Sequence, residues 1–176
     1  MSDVFIGKNV VRHLFIDLED TVITPVTEGW FKTEMINVQK VKGIIERFRP
    51  DTINLFSFAL WNKTELKGFN EGTRPMLEDA LGIKLNRTWT MDDDIIPMAC
   101  AERGLHHQLT TFDEVNQFWG KHETFRLCMR HWYSSNTSPI EILLLDDVVY
   151  NETFSWPDFK VTGFIINIDT PPKDFL

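Results

Sequence analysis

The sequence predicts an α/β fold built on a mostly parallel central sheet with helices on both faces. Several apolar runs lack the apolar/polar alternation of a half-exposed strand, which indicates strands buried on both faces. Segments with helical periodicity separate these runs, and such crossovers connect parallel strands. No repeat, low-complexity tract or linker interrupts the 176 residues. We therefore expect a single domain over residues 1–176 with one well-buried core.

The first third of the chain predicts two strands with a helix between them. The run HLFID, residues 13–17, is the first strand, and TINLFSFAL, residues 52–60, is the second. Residues 38–49 repeat apolar side chains at helical spacing, which predicts an amphipathic helix. Pro50 stops that helix because a proline ring cannot continue it.

The middle of the chain predicts a further helix, a weaker strand and a helix start. Residues 73–82 have Pro75 in the first turn and Gly82 as the C-terminal cap, positions that suit each residue. Residues 83–90 give a weaker strand signal. Asp92–Asp94 predict the start of the next helix, because acids are stabilising at the positive end of a helix dipole.

The last third predicts two helices and two strong strands. Thr111 begins a helical stretch, and Gly120 marks a break between its two halves. The polar segment at 134–139 indicates a turn. Residues 140–147, IEILLLDD, and residues 160–169, KVTGFIINID, complete the predicted set of strands.

Composition narrows the class of protein. Apolar residues make up 43% and charged residues 25% of the chain, an ordinary globular balance. The net charge of −8 argues against a broad basic surface for long nucleic acid or anionic membrane. Cys100 and Cys128 lack a CxxC spacing, so we expect two small buried side chains in a reducing compartment. With no signal-peptide pattern and no membrane-spanning window, the sequence predicts a soluble cytoplasmic protein.

Acids and a hydroxyl follow the predicted strands. Asp17 ends the first strand, Ser57 lies near the end of the second, and Asp146 and Asp147 end the strand IEILLLDD. Ligands of parallel α/β sheets bind beyond the carboxyl ends of the strands. If these strands are neighbours, the carboxylates form a cluster that needs a cation to stay ionised, and Mg²⁺ prefers such oxygen ligands.

These segments occur in the order of four motifs, and the set resembles the haloacid dehalogenase superfamily of phosphohydrolases and phosphotransferases. The family's first motif is a strand followed by Asp-x-Asp-x-Thr, its second a strand ending in Ser or Thr, its third a Lys or Arg before a helix, and its fourth a strand ending in paired acids. The matching residues here are Asp17-Leu18-Glu19-Asp20-Thr21, Ser57, Lys121 and Asp146-Asp147. The resemblance spans residues 13–169 and implies a three-layer α/β/α, Rossmann-like fold.

The resemblance also implies a catalytic set. Asp17 would attack phosphorus and form an aspartyl-phosphate, which splits one hard step into two. Glu19 would protonate the leaving oxygen and then activate water. Ser57 and Lys121 would hold the transferring oxygens and balance their charge. Lys63 and Arg126 are alternatives for the basic residue.

A metal set follows from the same resemblance. Mg²⁺ would be held by Asp17, Asp147 and the backbone carbonyl of Glu19, with Asp146 supporting that shell. The implied activity is a Mg²⁺-dependent phosphomonoester hydrolase acting on a phosphorylated substrate.

Two departures from the family pattern keep a second hypothesis open. The second acid of the first motif is Glu19 where Asp is usual, and Asp20 replaces a common glycine. A catalytically silent binding or regulatory protein on the same scaffold is the alternative. A phosphate-accepting receiver domain also has an acid and paired acids, but there the pair follows the first strand, whereas here it ends a late one.

The lengths between motifs predict an open site. Only a short flap around 24–35 and a small helical insertion around 90–120 are available as covers. An open site favours a bulky phosphate ester that can exclude water itself, such as a phosphoprotein or a short phosphorylated nucleic-acid end. Alternatively, Trp30 and Phe31 in the flap would cover a small sugar or nucleotide phosphate. His106–His107 lack a third metal ligand, so we expect a surface or packing role for them.

Overall fold

A six-stranded sheet forms the centre of the molecule in the computed structural model, which describes residues 9–105 and 109–176. The strands are β1 (Val11–Ile16), β2 (Thr52–Leu55), β3 (Arg87–Thr88), β4 (Ile140–Asp146), β5 (Glu152–Trp156) and β6 (Val161–Asn167). Their order across the sheet is β3-β2-β1-β4-β6-β5, and all neighbours are parallel except the pair β5–β6. The predicted α/β fold with a mostly parallel, Rossmann-like sheet is confirmed.

In the described part of the chain, six α-helices connect these strands. They are α1 (Val38–Phe48), α2 (Lys63–Glu71), α3 (Thr73–Leu81), α4 (Ile96–Arg103), α5 (Phe112–Phe118) and α6 (Gly120–Trp132). The two predicted helix ends are confirmed. Helix α1 ends before Pro50, and Gly82 caps the C-terminus of α3 with a φ of 67°. The start predicted at Thr111 also holds, because Thr111 and Glu114 form a capping box at the start of α5.

The core consists of two apolar clusters separated by the sheet. Ile142 and Leu144 of β4 belong to the cluster that includes α4, α5 and α6. Leu143 and Leu145 belong to the cluster that includes α1, α2 and α3. Since successive side chains of a strand point to opposite faces, β4 is buried on both faces. This explains why its sequence shows no alternation.

The strand order positions a crevice next to β1. The chain runs from β1 outwards to β2 and β3, and then returns to place β4 on the other side of β1. Strand order therefore reverses between β1 and β4, and a ligand crevice is expected beyond their carboxyl ends. Register confirms their alignment, because Ile16 pairs with Leu145 at that end of the sheet.

Several elements differ from the sequence-based expectation. The strand expected over 52–60 ends at Leu55, because the backbone then turns, with the N–H of Leu60 donating to the carbonyl of Ser57 at 3.4 Å. The weak strand at 83–90 reduces to β3 at the sheet edge. Neither α2 nor β5 was predicted from the sequence. The side chain of Asn62 caps α2 by accepting from two backbone N–H groups.

The expected flap around 24–35 contains a single 3-10 turn, Trp30–Lys32. Trp30 is buried against α2, where its ring lies 5.6 Å from that of Phe69 and its Nε1 donates to Glu65 at 2.8 Å. Phe31 is 75% exposed.

The expected insertion around 90–120 contains a π-helical turn, Met91–Ile95, followed by α4 and α5. Cys100 and Cys128 are buried free thiols, as the sequence predicted. His106–His107 lie outside the described residues. Within residues 9–105 and 109–176, no helix has both the length and the apolar character needed to cross a membrane.

Candidate active site

Three carboxylates meet at the carboxyl ends of the two central strands. Asp17 follows β1 directly, Asp146 is the last residue of β4, and Asp147 comes next. One oxygen from each lies within 4.8 Å of the others. Asp17 is 3% exposed and Asp146 is fully buried, while Asp147 is partly open to solvent. The cluster exists because neighbouring parallel strands end at the same level, and both strands here end in an acid.

Lys121 places its ammonium group between two of these acids. It lies in the first turn of α6, and its Nζ is 2.5 Å from Oδ1 of Asp17 and 2.7 Å from Oδ2 of Asp146. Burial alone would lower the pKa of Lys121, but the charges of Asp17 and Asp146 outweigh it and leave that pKa raised. The side chain is therefore a largely buried cation that stays protonated at neutral pH.

The cluster carries more negative charge than Lys121 balances. Burial and the neighbouring charge of Asp17 raise the pKa of Asp146 to about 7, although Lys121 acts in the opposite direction. The pKa of Asp147 is also raised, by burial first and then by the charge of Asp17. Near neutral pH the site is thus short of positive charge.

The loop after β1 brings a hydroxyl into the cluster. The carbonyl of Leu18 accepts from the N–H groups of Val22 at 2.9 Å and Ile23 at 3.0 Å, and this folds the loop tightly. Asp20 has a φ of 57°, in the left-handed region. The buried Oγ1 of Thr21 consequently lies 3.4 Å from both Oδ2 of Asp17 and Oδ1 of Asp147. The sequence prediction assigned no role to Thr21, although its place in the first motif was a usable signal.

The loop after β4 is fixed by side chains of its own and of β6. The N–H of Val148 donates to Oδ1 of Asp146 at 2.9 Å. Nδ2 of Asn167 donates to the carbonyls of Asp147 and Val149, each at 2.8 Å. Asn167 is a second site-shaping residue that sequence reasoning missed, because its role depends on β6 lying beside β4.

Glu19 faces the site but lies outside the acid cluster. It lines the cleft, and its Oε1 accepts from the N–H of Val26 in the flap at 2.6 Å. The carboxylates that converge are those of Asp17, Asp146 and Asp147. The structure thus brings three of the four expected metal residues together through their side chains.

Ser57 lies close to the place that the sequence predicted, two residues beyond Leu55 at the end of β2. It is buried, lines the cleft, and its Oγ accepts from the N–H of Ala59 at 3.3 Å. The hydroxyl hydrogen remains available for a ligand.

The alternatives to Lys121 lie in other ion pairs. Nζ of Lys63 is 3.5 Å from Asp93, and the guanidinium of Arg126 is 2.7 Å from Glu152. Glu152 also contacts His122 at 2.7 Å. Lys121 is therefore the basic residue that the structure associates with the acid cluster.

A cleft of about 310 Å³ opens onto the acids. Its lining combines polar residues of the cluster and its loops with an apolar wall. The polar residues are Asp17, Glu19, Asp20, Ser57, Asn116, Lys121 and Asp147, and the others are Phe58, Ala59, Phe112 and Val148. The hypothesis that Trp30 and Phe31 cover this cleft is wrong, because Trp30 packs on α2 instead and neither residue lines the cleft.

The donor set fits Mg²⁺. Carboxylate oxygens of Asp17 and Asp147 face the cleft, the hydroxyl of Thr21 lies beside both, and no cysteine or histidine lines the cleft within the described residues. Hard oxygen donors suit Mg²⁺, which also keeps waters and shares ligands with phosphate. Burial and then the charge of Asp17 raise the pKa values of Asp146 and Asp147, and a dication would balance that charge.

A comparison of the chain with protein-family models, with curated proteins and with solved structures finds no match.

Proposed function

We propose that this protein is a Mg²⁺-dependent phosphomonoester hydrolase that forms an aspartyl-phosphate on Asp17. The observation that carries the proposal is the buried ammonium of Lys121, held between Asp17 and Asp146 at the strand ends where strand order reverses. In this proposal the sheet and its helices are the three-layer scaffold of the haloacid dehalogenase superfamily, which the four ordered motifs resemble.

Asp17 suits the role of nucleophile because it is buried and tightly oriented. Its Oδ1 contacts Lys121 and its Oδ2 lies 3.4 Å from the hydroxyl of Thr21, so both oxygens have fixed directions. Phosphoryl transfer depends mainly on positioning and on charge stabilisation, which fixed groups supply without reorganisation. Lys121 would hold an oxygen of the transferring phosphoryl group while remaining in contact with Asp146.

Mg²⁺ would be held by Asp17 and Asp147 at the cleft, with the backbone carbonyl of Glu19 as a further ligand. When bound, it neutralises charge on both the carboxylate and the phosphate, so that the two anions can approach. Asp146, behind the cleft, orients Lys121 and the N–H of Val148. Asn167 holds the carbonyl of Asp147 and so fixes the direction of that ligand.

Glu19 and Ser57 complete the proposed machinery. Glu19 protonates the leaving oxygen and then removes a proton from the water that attacks the aspartyl-phosphate. Its hydrogen bond to Val26 links its position to that of the flap. Ser57, buried at the cleft wall, donates to an oxygen of the phosphoryl group.

The shape of the cleft supports a bulky phosphate ester, such as a phosphoprotein, as the partner. Trp30 of the flap packs on α2, and neither Trp30 nor Phe31 lines the cleft, so these two side chains do not cover its entrance. A large substrate excludes water from the acids by covering them itself.

A catalytically silent binding protein on the same scaffold is the second candidate. The observation that favours it is the hydrogen bond of 2.6 Å between Glu19 and the N–H of Val26, which occupies an oxygen of the proposed acid–base group. Such a protein would bind Mg²⁺ at the same acids but turn over no phosphate ester.

The test is turnover of para-nitrophenyl phosphate with Mg²⁺ and with chelator, using wild-type protein and two variants. Asp17→Asn removes the nucleophile. Asp158→Asn is the matched control, because Asp158 is an exposed acid on the turn before β6. We expect Mg²⁺-dependent release by the wild type and the control, and none by Asp17→Asn. Binding of Mg²⁺ without turnover across a panel of phosphate esters would favour the silent protein instead.

A further inference from the structure

We propose that the cleft selects phosphate esters whose leaving group is an uncharged alcohol that carries an aromatic ring. Phe112 and Phe58 are the residues that bind the ring. The inference rests on the proposed function, because it concerns the substrate class of the same site. It extends that function from phosphomonoesters in general to those of an aryl or arylmethyl alcohol.

Two phenyl rings form the apolar corner of the cleft. The centroids of Phe58 and Phe112 lie 5.8 Å apart, and their planes are nearly perpendicular at 89°. Phe58 is anchored in the core, whereas Phe112, the first residue of α5, is 49% exposed. A planar substrate ring that enters this corner can stack on these rings or meet them edge to face, and both arrangements are favourable.

The corner adjoins the reacting groups. Nζ of Lys121 lies 5.4 Å from the centroid of the Phe58 ring and also contacts Asp17. A phosphoryl group held by Lys121 therefore has Phe58 as a direct neighbour. The ring of its leaving group can reach the corner without a long spacer.

The remaining wall of the cleft repels further negative charge. Asp17, Glu19, Asp20 and Asp147 line it, and Lys121 is its one basic side chain among the described lining residues. Lys121 is already shared by two carboxylates. Leaving groups with additional phosphates or carboxylates are therefore disfavoured, as in nucleoside diphosphates and sugar bisphosphates. The hydroxyl groups of a neutral sugar would lose water at the phenyl corner without gaining partners there.

The proposed step balances as a hydrolysis. An oxygen of Asp17 forms a bond to phosphorus while the bond between phosphorus and the ester oxygen breaks, and Glu19 gives its proton to the departing alcohol. Water then attacks phosphorus, Glu19 takes a proton from it, and the Asp17–phosphorus bond breaks to release inorganic phosphate. The products are a neutral aromatic alcohol and phosphate.

The test compares benzyl phosphate with ethyl phosphate, two esters of primary alcohols that differ in the ring. Wild-type protein, Phe112→Ala, Phe112→Tyr and Phe118→Ala are each assayed for kcat/KM with Mg²⁺. Phe118 lies on the same helix, is 59% exposed and does not line the cleft, which makes it the matched control.

We expect the wild type to have a higher kcat/KM for benzyl phosphate than for ethyl phosphate. In Phe112→Ala this ratio of the two kcat/KM values should fall about tenfold, which corresponds to the energy of one aromatic contact plus its buried area. Phe112→Tyr, which keeps the ring, and Phe118→Ala should retain the preference. A phosphotyrosine peptide and a phosphoserine peptide extend the comparison. Faster turnover of free phenyl phosphate than of the phosphotyrosine peptide would identify a small aryl ester, and the reverse a protein side chain.

Turnover of both esters with no preference for benzyl phosphate would overturn the inference alone. Equal losses on both esters in Phe112→Ala would do the same, because they would make Phe112 a structural residue. Absence of turnover on any ester by the wild type would remove the proposed function, and the inference with it.

Discussion

Lys121 is the residue on which the electrostatics of the acid cluster depend. A lysine that is largely withdrawn from water is costly unless it is paired, and here two carboxylates at 2.5 and 2.7 Å pair it. The contacts also tie α6 to the ends of β1 and β4. Lys121 therefore contributes both to the proposed chemistry and to the stability of the metal-free protein.

Lys121→Met should be strongly destabilising in the absence of Mg²⁺. It leaves Asp17 and Asp146 buried without their cation, and removing one partner of a buried ion pair costs about 3–5 kcal/mol. Urea unfolding monitored by circular dichroism measures the change. Lys63→Met is the control, because Lys63 is exposed and pairs with Asp93 at 3.5 Å, and it should change stability by less than about 0.5 kcal/mol. Equal effects of the two substitutions would contradict the role assigned to Lys121.

The contribution of Asp146 to the stability of the metal-free protein should fall as pH rises towards neutrality. Burial and the charge of Asp17 raise the pKa of Asp146 from 3.8 to about 7, so the folded state binds this proton more tightly than the unfolded state. The stabilisation is complete below the unfolded value of 3.8 and is lost as pH rises through about 7. Unfolding curves between these pH values measure it.

Asp146→Asn is the control for this pH dependence, because its amide does not titrate. The variant should show a flatter stability profile over the same pH range. Addition of Mg²⁺ should stabilise the wild type more at the upper end of this pH range than at the lower end, since the cation competes with protons for the carboxylates. A wild-type profile that falls with pH no more steeply than the profile of Asp146→Asn would refute this account of Asp146.

At the scale of elements, the flap belongs to the scaffold more than to the cleft. Trp30 packs against α2. The backbone of Trp30 approaches the C-terminal end of this helix closely at Gly72, where a Cβ would lie 2.8 Å from the carbonyl oxygen of Trp30. Phe112 and Asn116 of α5 line the cleft. The insertion between β3 and β4 thus supplies part of the cleft wall, while the N–H of Val26 in the flap donates to Glu19.

Trp30→Ala should therefore destabilise the fold far more than Phe31→Ala. Loss of a large buried aromatic side chain costs about 3–5 kcal/mol, and Trp30 also gives up its hydrogen bond to Glu65. Phe31 is 75% exposed, so its truncation should stay within about 0.5 kcal/mol. Guanidinium unfolding of the two variants checks the difference. Similar midpoints would mean that the flap does not pack on α2.

The sequence predicted central elements better than peripheral ones. Strand β4 has a continuous apolar run because both faces are buried, and α3 has its proline and glycine at positions that favour them. By contrast, β5 is an edge strand with mixed burial, and it pairs with β6 across a short turn at residues 157–160 that carries no strong turn signal. Helix α2 was missed because one buried aromatic residue, Phe69, gives little periodicity.

At the scale of the whole molecule, topology explains which parts of the site were predictable. Asp17, Asp146 and Asp147 were found from sequence because strand-end acids become neighbours once β1 and β4 are adjacent. Thr21, Asn167 and Phe112 were not, since their places depend on a loop conformation, on the position of β6 and on the packing of α5. The sheet order therefore unites residues from both ends of the chain in one acidic cleft.

The most direct test of the central claim is binding of beryllofluoride, a mimic of a phosphoryl group on an aspartate, followed by fluorine NMR. The account predicts a bound fluorine signal that requires Mg²⁺, is absent in Asp17→Asn and persists in Asp158→Asn. This readout needs no knowledge of the physiological substrate. A bound signal that survives Asp17→Asn, or one that forms equally well without Mg²⁺, would contradict a metal-dependent phosphoryl site on Asp17, as would the absence of any signal in the wild type.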